Sequence, residues 1–371
     1  MAKIFYSMAG EGRGHAVRVR TLTEQLQDEH QLHLFAPGDA YDFLRRYYGT
    51  NSPNPAVRLT RIPGLRFQYT GGKLNLIGSI RRGLQFAVWG LPRLVSAFRR
   101  RIRTEQPDLV LSDFEPSLPR AAQREQIPFL SIDHQHVLVG CDLSGLSMEL
   151  QWYAWWMGWA IRWYYAGRCH GVMTAFYEPP IKAGFEGLKL VGPIIRPEVA
   201  TASRGSGDYL LSYLRSTTPD RVIEILSTCP HPVRIYGLGE LPPRGGATFH
   251  PIHEQKFVED LAGCRAVVCA AGNQLLGEAL YLGKPVLAIP EEIHHEQRIN
   301  AHFLRAMGCG DWTTLETFDR AALSRFLDRW DEYRTACQSR GQDDGTAVTL
   351  GVIRAELERC ASARRKSSAT A

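Results

Sequence analysis

Short apolar runs alternate with amphipathic stretches along most of the chain, and this alternation restricts the fold more than any other feature. Ile4–Ala9, Leu32–Ala36, Leu109–Ser112 and Phe129–Ile132 read as strands, with a helix over Ala16–Gln27 between the first two. Strands separated by helices imply a parallel sheet covered on both faces. A second alternation begins near Val191, with strands at Tyr209–Tyr213, Val233–Tyr236, Ala266–Cys269 and Pro285–Ile289 and helices over Val222–Leu226 and Gln274–Leu282. The 371 residues suit two domains of about 150 residues each. The expected organisation is an α/β chain with one Rossmann-like domain over residues 1–190 and a Gly/Pro/Ser/Arg-rich linker over 191–207. A second such domain follows over 208–360, then a flexible tail over 361–371.

Composition narrows the class. The eight cysteines include no Cys-x-x-Cys pair, which predicts reduced thiols and a cytoplasmic protein. The apolar start lacks a basic leader, so no secretory signal is expected, and no apolar run reaches the length of a transmembrane helix. The net charge of +6 is uneven: seven arginines and no acid lie between Arg81 and Arg103. That stretch is either a solvated helix face or a surface for anionic lipid. No recognisable nucleic-acid module accompanies it, so no nucleic-acid partner is expected. Trp152, Trp155, Trp156, Trp159 and Trp163 share one face of a predicted helix. Such a face either packs internally or settles at the headgroup level of a membrane. Leu84, Val88, Leu91, Val95, Phe98 and Ile102 lie at near-helical spacing in the basic stretch, with Pro92 expected to break it in two.

Ligands of open parallel sheets bind beyond the carboxyl ends of the strands. Three groups fall there: the turn Gly10-Glu11-Gly12-Arg13-Gly14-His15, Asp113, and the cluster Asp133-His134-Gln135-His136. The glycines let another molecule approach the backbone, and His15 is a base at a helix start. In the second half a strand ends at Cys269, and a small-residue turn opens a helix whose first amides lie around Gly272, Asn273 and Gln274. Free amides at a helix start form an anion site suited to a diphosphate. Glu278, one turn further, is placed to accept hydrogen bonds from ribose hydroxyls, and Glu296 and Gln297 suit sugar hydroxyls. His250-x-x-His253 and His294-His295 lack the helical His-Glu-x-x-His context, and there is no Asp-x-Asp. No metal is therefore expected.

The stretch from Cys269 to Ala301 resembles the nucleotide-sugar signature of glycosyltransferases with the GT-B architecture. That family includes UDP-glucuronosyltransferases and the lipid-linked N-acetylglucosaminyltransferase of peptidoglycan synthesis. The matching residues are Ala270-Ala271-Gly272-Asn273-Gln274, Glu278, Gly283-Lys284-Pro285 and Glu296-Gln297…Asn300-Ala301, together with the first Gly-x-Gly-His turn. The strand end Ser112-Asp113-Phe114-Glu115-Pro116 is similar to that of bacterial and archaeal members. Ala270 stands where many relatives carry a phosphate-binding histidine, and Glu296 replaces the more usual aspartate.

The resemblance implies two Rossmann-like domains facing across a cleft. It also implies inverting, metal-independent transfer of a hexosyl or N-acetylhexosaminyl group from a UDP-sugar to an acceptor hydroxyl, with no cofactor beyond the donor. A lipid or other apolar acceptor and peripheral contact with the cytoplasmic membrane face are compatible with the Trp and Arg segments. His15 is then the general base and Asp113 its orienting carboxylate, with Glu115 in reserve. Gly14 is then donor-binding and Ser212 approaches donor phosphate, the backbone near Ile252 meets the nucleobase, and Asp133, His134 and His136 either line the acceptor side or form a plain loop network. Two rivals are a nucleotide-sugar 2-epimerase and a non-enzymatic nucleotide-sugar sensor. The first usually carries a Ser-Gly-Gly-x-x-x-Glu turn, which Gly272–Glu278 matches poorly. A dehydrogenase is weaker still, because no acid ends the second strand at Phe35-Ala36-Pro37.

Overall fold

The computed structural model describes residues 1–10, 13–49, 54–64, 69–70, 73–74, 78, 81, 83, 85–165 and 170–370. Arg82, Leu84 and the Glu11-Gly12 part of the first turn lie outside the described residues. The chain forms two compact units. The first comprises Met1–Leu143, Ala154–Val191 and Gly345–Ala371, and the second Ser144–Tyr153 and Gly192–Asp344.

Unit 1 opens with β1 (Lys3–Met8), α1 (Arg13–Leu26), β2 (Gln31–Ala36), α2 (Gly38–Tyr48) and β3 (Val57–Arg61). The two-residue strands β4 (Tyr69–Thr70) and β5 (Lys73–Leu74) pair antiparallel. Then come α3 (Leu91–Glu105), β6 (Leu109–Asp113), α4 (Ser117–Arg124), β7 (Phe129–Asp133), the short α5 (Val137–Gly140) and α6 (Met148–Tyr164), whose first turns group with unit 2. β8 (Gly171–Thr174) and β9 (Leu188–Val191) complete a seven-stranded sheet in the order β3-β2-β1-β6-β7-β8-β9. Every pairing in it is parallel. Ile4, Phe5, Tyr6, Leu109, Val110, Leu111, Leu130 and Ile132 are fully buried. Successive residues point to opposite faces of a strand, so both faces of this sheet must be covered by helices.

Unit 2 repeats the scheme. α7 (Pro197–Ala200), β10 (Leu210–Tyr213), α8 (Asp220–Ser227), β11 (Val233–Tyr236), β12 (Ala247–His250), α9 (Glu254–Gly263) and β13 (Ala266–Cys269) come first. They are followed by α10 (Asn273–Tyr281), β14 (Val286–Ala288), α11 (His295–Ala306), β15 (Gly310–Trp312), α12 (Arg320–Asp328) and α13 (Trp330–Ser339). The strand order is β12-β11-β10-β13-β14-β15, again parallel. Val233, Ile235 and Val268 from the strands pack with Leu226 of α8 and Phe326 of α12 in one buried cluster.

Three boundaries differ from the expectation, the first being Ser144–Tyr153, expected in the first domain but grouped with unit 2. Residues 192–200 are not a free linker: Ile194, Ile195, Val199 and Arg196 are buried within unit 2. The apolar pair and the buried guanidinium hold this segment in place. The last helix, α14 (Thr346–Thr370), continues through the expected tail and groups with unit 1, where Arg354 pairs with Glu29 at 2.8 Å and Arg364 pairs with Asp108. The basic stretch follows its expected spacing only from Leu91 onward: Val88 is exposed, and Pro92 does not break the stretch in two. A π-helical turn, Phe86–Gly90, runs into α3 with Pro92 in its first turn. Leu91, Val95, Phe98 and Ile102 are buried, while Arg99 and Arg103 pair with Glu125 at 2.6 and 2.7 Å. Among the described residues no helix is long and apolar enough to cross a membrane, and the seven described cysteines are unbridged.

One backbone position in unit 1 tolerates no side chain. Gly171 opens β8 at φ 148°, and a Cβ there would lie 2.0 Å from the carbonyl oxygen of Ser131 on β7. Gly171→Ala should lower the urea unfolding midpoint, with a loss of roughly 3 kcal/mol from strain and a disrupted strand pairing. An unchanged midpoint by tryptophan fluorescence would rule this account out.

Candidate active site

In unit 1 the strand order reverses between β1 and β6: the chain moves outward from β1 to β2 and β3, and outward the other way from β6 to β7. Loops leaving the carboxyl ends of these two neighbours diverge and open a crevice. The register pairs Met8 with Asp113, so the turn after β1 and the end of β6 lie side by side. Gly10 passes tightly there, since a Cβ on it would stand 2.7 Å from the Pro37 ring. Gly14 and His15 sit in the first turn of α1.

His15 Nδ1 lies 2.7 Å from Asp113 Oδ1, with the imidazole partly exposed and the carboxylate fully buried. The carboxylate accepts, so Nδ1 carries a proton, and in the neutral imidazole Nε2 is then the nitrogen with the lone pair. Arg18, one turn along α1, donates to both oxygens of Asp113 at 2.8 Å, through Nε to Oδ2 and Nη2 to Oδ1. A buried carboxylate needs such a partner. It fixes the rotamer of Asp113 and offsets part of its charge.

A second network begins one residue on. Phe114 adopts φ 57°, a region that a bulky residue rarely enters. Its N–H donates to the Tyr165 hydroxyl at 2.9 Å, and that hydroxyl donates to Asp133 Oδ2 at 2.9 Å. His136 Nδ1 lies 2.8 Å from Asp133 Oδ2, and the His136 amide donates to Oδ1 at 2.9 Å. Burial alone would raise the carboxyl pKa of Asp133, but the His136 charge and the hydrogen bonds from His136 and Tyr165 hold it below its usual range. His134 Nδ1 bonds the Thr174 carbonyl at 2.8 Å. The expected acceptor-side residues Asp133, His134 and His136 are therefore buried and bonded inward, supporting the site edge instead of lining open space. Glu115 is also corrected. Its buried carboxylate accepts from the Ser117 and Leu118 amides at 2.8 and 2.9 Å, capping α4 instead of standing in reserve for Asp113.

Unit 2 reverses its strand order between β10 and β13, and the turn after β13 leads into Gly272, Asn273 and Gln274. Ala271 is buried at φ 60°, and its carbonyl accepts from Asn300 Nδ2 at 3.0 Å. That bond explains the local value of Asn300: it holds a strained turn in shape. Gly272 is exposed and caps α10 with extended backbone, with open space where a Cβ would stand. Asn273 is buried at the first position of the helix, and Gln274 donates to the Ile194 carbonyl at 2.8 Å and to Glu278 at 3.0 Å.

Two expected donor contacts are taken up elsewhere. Glu278 is buried, and both its oxygens accept from Arg196, at 2.9 Å from Nε and 2.8 Å from Nη2. Arg196 also donates to Glu254 at 2.5 Å. The Ser212 hydroxyl is buried and donates to the Val268 carbonyl at 3.1 Å, inside the sheet. Ile252 is half-buried in the loop between β12 and α9. Glu296 is half-buried in the first turn of α11, while Gln297 is buried and accepts from the Glu291 amide at 3.3 Å. His250 bonds Thr248 at 2.9 Å, and no group of three metal-ligating side chains occurs among the described residues.

The sequence profile of glycosyl transferase family 1 matches residues 2–330. This chain belongs to that family. It is a glycosyltransferase with the GT-B fold. A relative from Methanosarcina acetivorans, an uncharacterized glycosyltransferase, is 25% identical over 343 residues, covering 83% of this chain and 82% of its own. Among solved structures, MurG of Acinetobacter baumannii superposes with a TM-score of 0.60 at 16% identity, covering 95% of this chain and 99% of its own. UGT89C1 of Arabidopsis thaliana, complexed with UDP-L-rhamnose, gives 0.66 at 15% identity, covering 96% and 99%.

Three residues of this glycosyltransferase escaped sequence reasoning: Arg18, Tyr165 and Arg196. Arg18 carried a signal, since it lies three residues after His15 on one helix face. Tyr165 sat in an aromatic run and Arg196 in a presumed linker, and nothing local marks either partner. Glu278→Ala should lower the unfolding midpoint, because it leaves a buried guanidinium short of its main partner, at a cost of about 3–5 kcal/mol. Arg196→Met with Glu278→Met should recover much of that loss. Thermal melts of the three proteins check it, and a fully stable Glu278→Ala protein contradicts the assignment.

Proposed function

We propose that this glycosyltransferase transfers a sugar with inversion from a UDP-sugar to an acceptor hydroxyl, without a metal, and that His15 is the general base. The His15–Asp113 pair is the observation that carries the reading. A neutral imidazole with Nδ1–H on a buried carboxylate presents Nε2 as a proton acceptor, the arrangement general-base chemistry requires. As the acceptor oxygen bonds to the anomeric carbon, its proton passes to Nε2 and the bond from that carbon to the diphosphate breaks. Asp113 stabilises the imidazolium that results, and Arg18 keeps Asp113 in place. The charge developing on the nucleoside diphosphate falls to the amides at the start of α10, around Gly272, Asn273 and Gln274. This is an electrostatic role that needs no metal. The uridine and the sugar are assigned to the loop at Ile252 and to Glu296 and Gln297.

For the acceptor, we favour a lipid or another apolar molecule met at the cytoplasmic face of a membrane. Trp152, Trp155, Trp156, Trp159 and Trp163 on α6 are between 45% and 66% exposed, and Val88 and Trp89 ahead of α3 are exposed as well. So much exposed indole is costly in water and suits the headgroup level. Arg93, Arg100 and Arg162 add charge that attracts anionic lipid.

His15→Ala should lower kcat at least a hundredfold while leaving UDP-sugar binding within about threefold. Near-normal turnover would reject His15 as the base. Anionic vesicles should bind the protein at low salt and release it at high salt, with Trp156→Ser/Trp159→Ser weakening the binding. A protein that stays in solution at low salt refutes the membrane reading alone, and the His15 result stands apart from it.

A further inference from the structure

At the carboxyl edge of the unit 2 sheet, Tyr213 of β10, Cys269 of β13 and Ala288 of β14 stand in one row of the register. Arg215 follows the end of β10, Ala271 the end of β13 and Glu291 the end of β14. Arg215 Nη1 pairs with Glu291 Oε1 at 3.6 Å. β13 lies between the other two strands, which stand about 9.6 Å apart at two interstrand spacings. The ion pair therefore spans the carboxyl end of β13, where the Ala271–Gly272 turn begins.

Both backbones are fixed. The Arg215 amide donates to Thr218 Oγ1 at 3.1 Å, and its carbonyl accepts from the Thr218 amide at 2.9 Å, a closed turn just ahead of α8. The Glu291 amide donates to Gln297 at 3.3 Å, and its carbonyl accepts from the His294 amide at 2.9 Å. The two side chains are 41% and 17% exposed. A long ion pair open to water adds little to stability, so the fold does not account for its position.

Charge balance gives the pair a use. Ala270–Gln274 includes no cation. The start of a helix supplies about half a unit charge, far short of what a diphosphate brings. Glu291 beside that turn is a further cost, because a carboxylate repels phosphate unless a cation stands between them. Burial chiefly, with the Arg215 charge adding to it, holds the His294 imidazole below its usual pKa, so His294 is neutral at pH 7 and supplies no cation. Arg215 does. Its guanidinium fork suits phosphate oxygens, and its contact with Glu291 is looser than a hydrogen-bonded pair.

We propose that Arg215 binds the donor diphosphate and that Glu291 is a built-in competitor for it. Glu291 pairs with Arg215 when no diphosphate is bound, yields it to the donor, and reclaims it as the nucleoside diphosphate leaves. The exchange limits affinity and speeds release of the product. It rests on the nucleotide-sugar reading of the Gly272 turn and adds to that reading the residues that set how tightly the diphosphate is held.

Isothermal titration of the full-length protein with UDP and with inorganic pyrophosphate, at one ionic strength, tests the exchange. Glu291→Gln should tighten binding of both ligands roughly threefold or more, with slower UDP dissociation by surface plasmon resonance. Arg215→Gln should weaken both about tenfold, and Arg215→Lys should restore part of the loss. In the Arg215→Gln background, Glu291→Gln should gain less than it does alone, because no guanidinium is left to compete for. Should Arg215→Gln fail to fold, Arg215→Lys is read in its place and should bind more weakly than the parent protein. A Glu291→Gln protein that binds no tighter, or an Arg215→Gln protein that binds UDP at the parent affinity, overturns the exchange and leaves the donor reading standing. Binding of pyrophosphate without UDP rejects the uridine assignment alone. Binding of neither ligand, by the parent protein or by Glu291→Gln, overturns both.

Discussion

Parallel strands buried on both faces govern everything else in this protein. Each strand can be followed by a parallel neighbour only after the chain crosses back over the sheet, so every crossover sets a loop at the carboxyl edge. Both units begin in the middle of their sheets and build outward in two directions. The reversal leaves one crevice per sheet, between β1 and β6 and between β10 and β13. His15 and Asp113 stand at the first, and the Ala271–Gly272 turn at the second. The chemistry is placed by topology before any side chain is chosen.

Burial of charge is the next constraint. Asp113, Asp133 and Glu278 are all removed from water, and each is answered by a specific cation or donor set: Arg18 with His15, His136 with Tyr165, and Arg196. Such groups add little net stability but fix geometry, because losing one partner strands the other. Around the candidate base this rigidity has a chemical use. Asp113 is clamped by Arg18 on one side, and the adjoining strained Phe114 backbone is held by Tyr165. The imidazole tautomer then follows from the structure without rearrangement.

Most of the architecture was legible in the sequence because its signals are local. Apolar runs such as Ile4–Ala9 and Ala266–Cys269 announce buried strands, and the i, i+4, i+7, i+11 spacing of Leu91, Val95, Phe98 and Ile102 announces the buried face of α3. The position of His15 and Asp113 after strands was legible for the same reason. The partners of Glu115, Ser212 and Glu278 were not. A carboxylate near a helix start reads alike whether it meets a ligand, caps the helix or pairs with an arginine, and the arginine that takes Glu278 lies 82 residues away. The membership of 192–200 and of α14 was hidden too, since Gly, Pro and Ser content describes flexibility and says nothing of what packs against Ile194 or Arg354.

The sequence by itself determined the α/β class, the two-unit organisation, the glycosyltransferase family and the strand-end positions of the chemistry-bearing residues. These depend on periodicity and on short motifs, which neighbouring residues carry together. Tertiary structure alone decided which of those residues keep a free face. Gly272 is exposed and His15 partly so, whereas Glu278, Ser212, Asp133 and His136 are spent on internal bonds. The reason is physical: burying a polar group requires a partner, and partners are assigned by distance in space, which a linear order of residues does not contain.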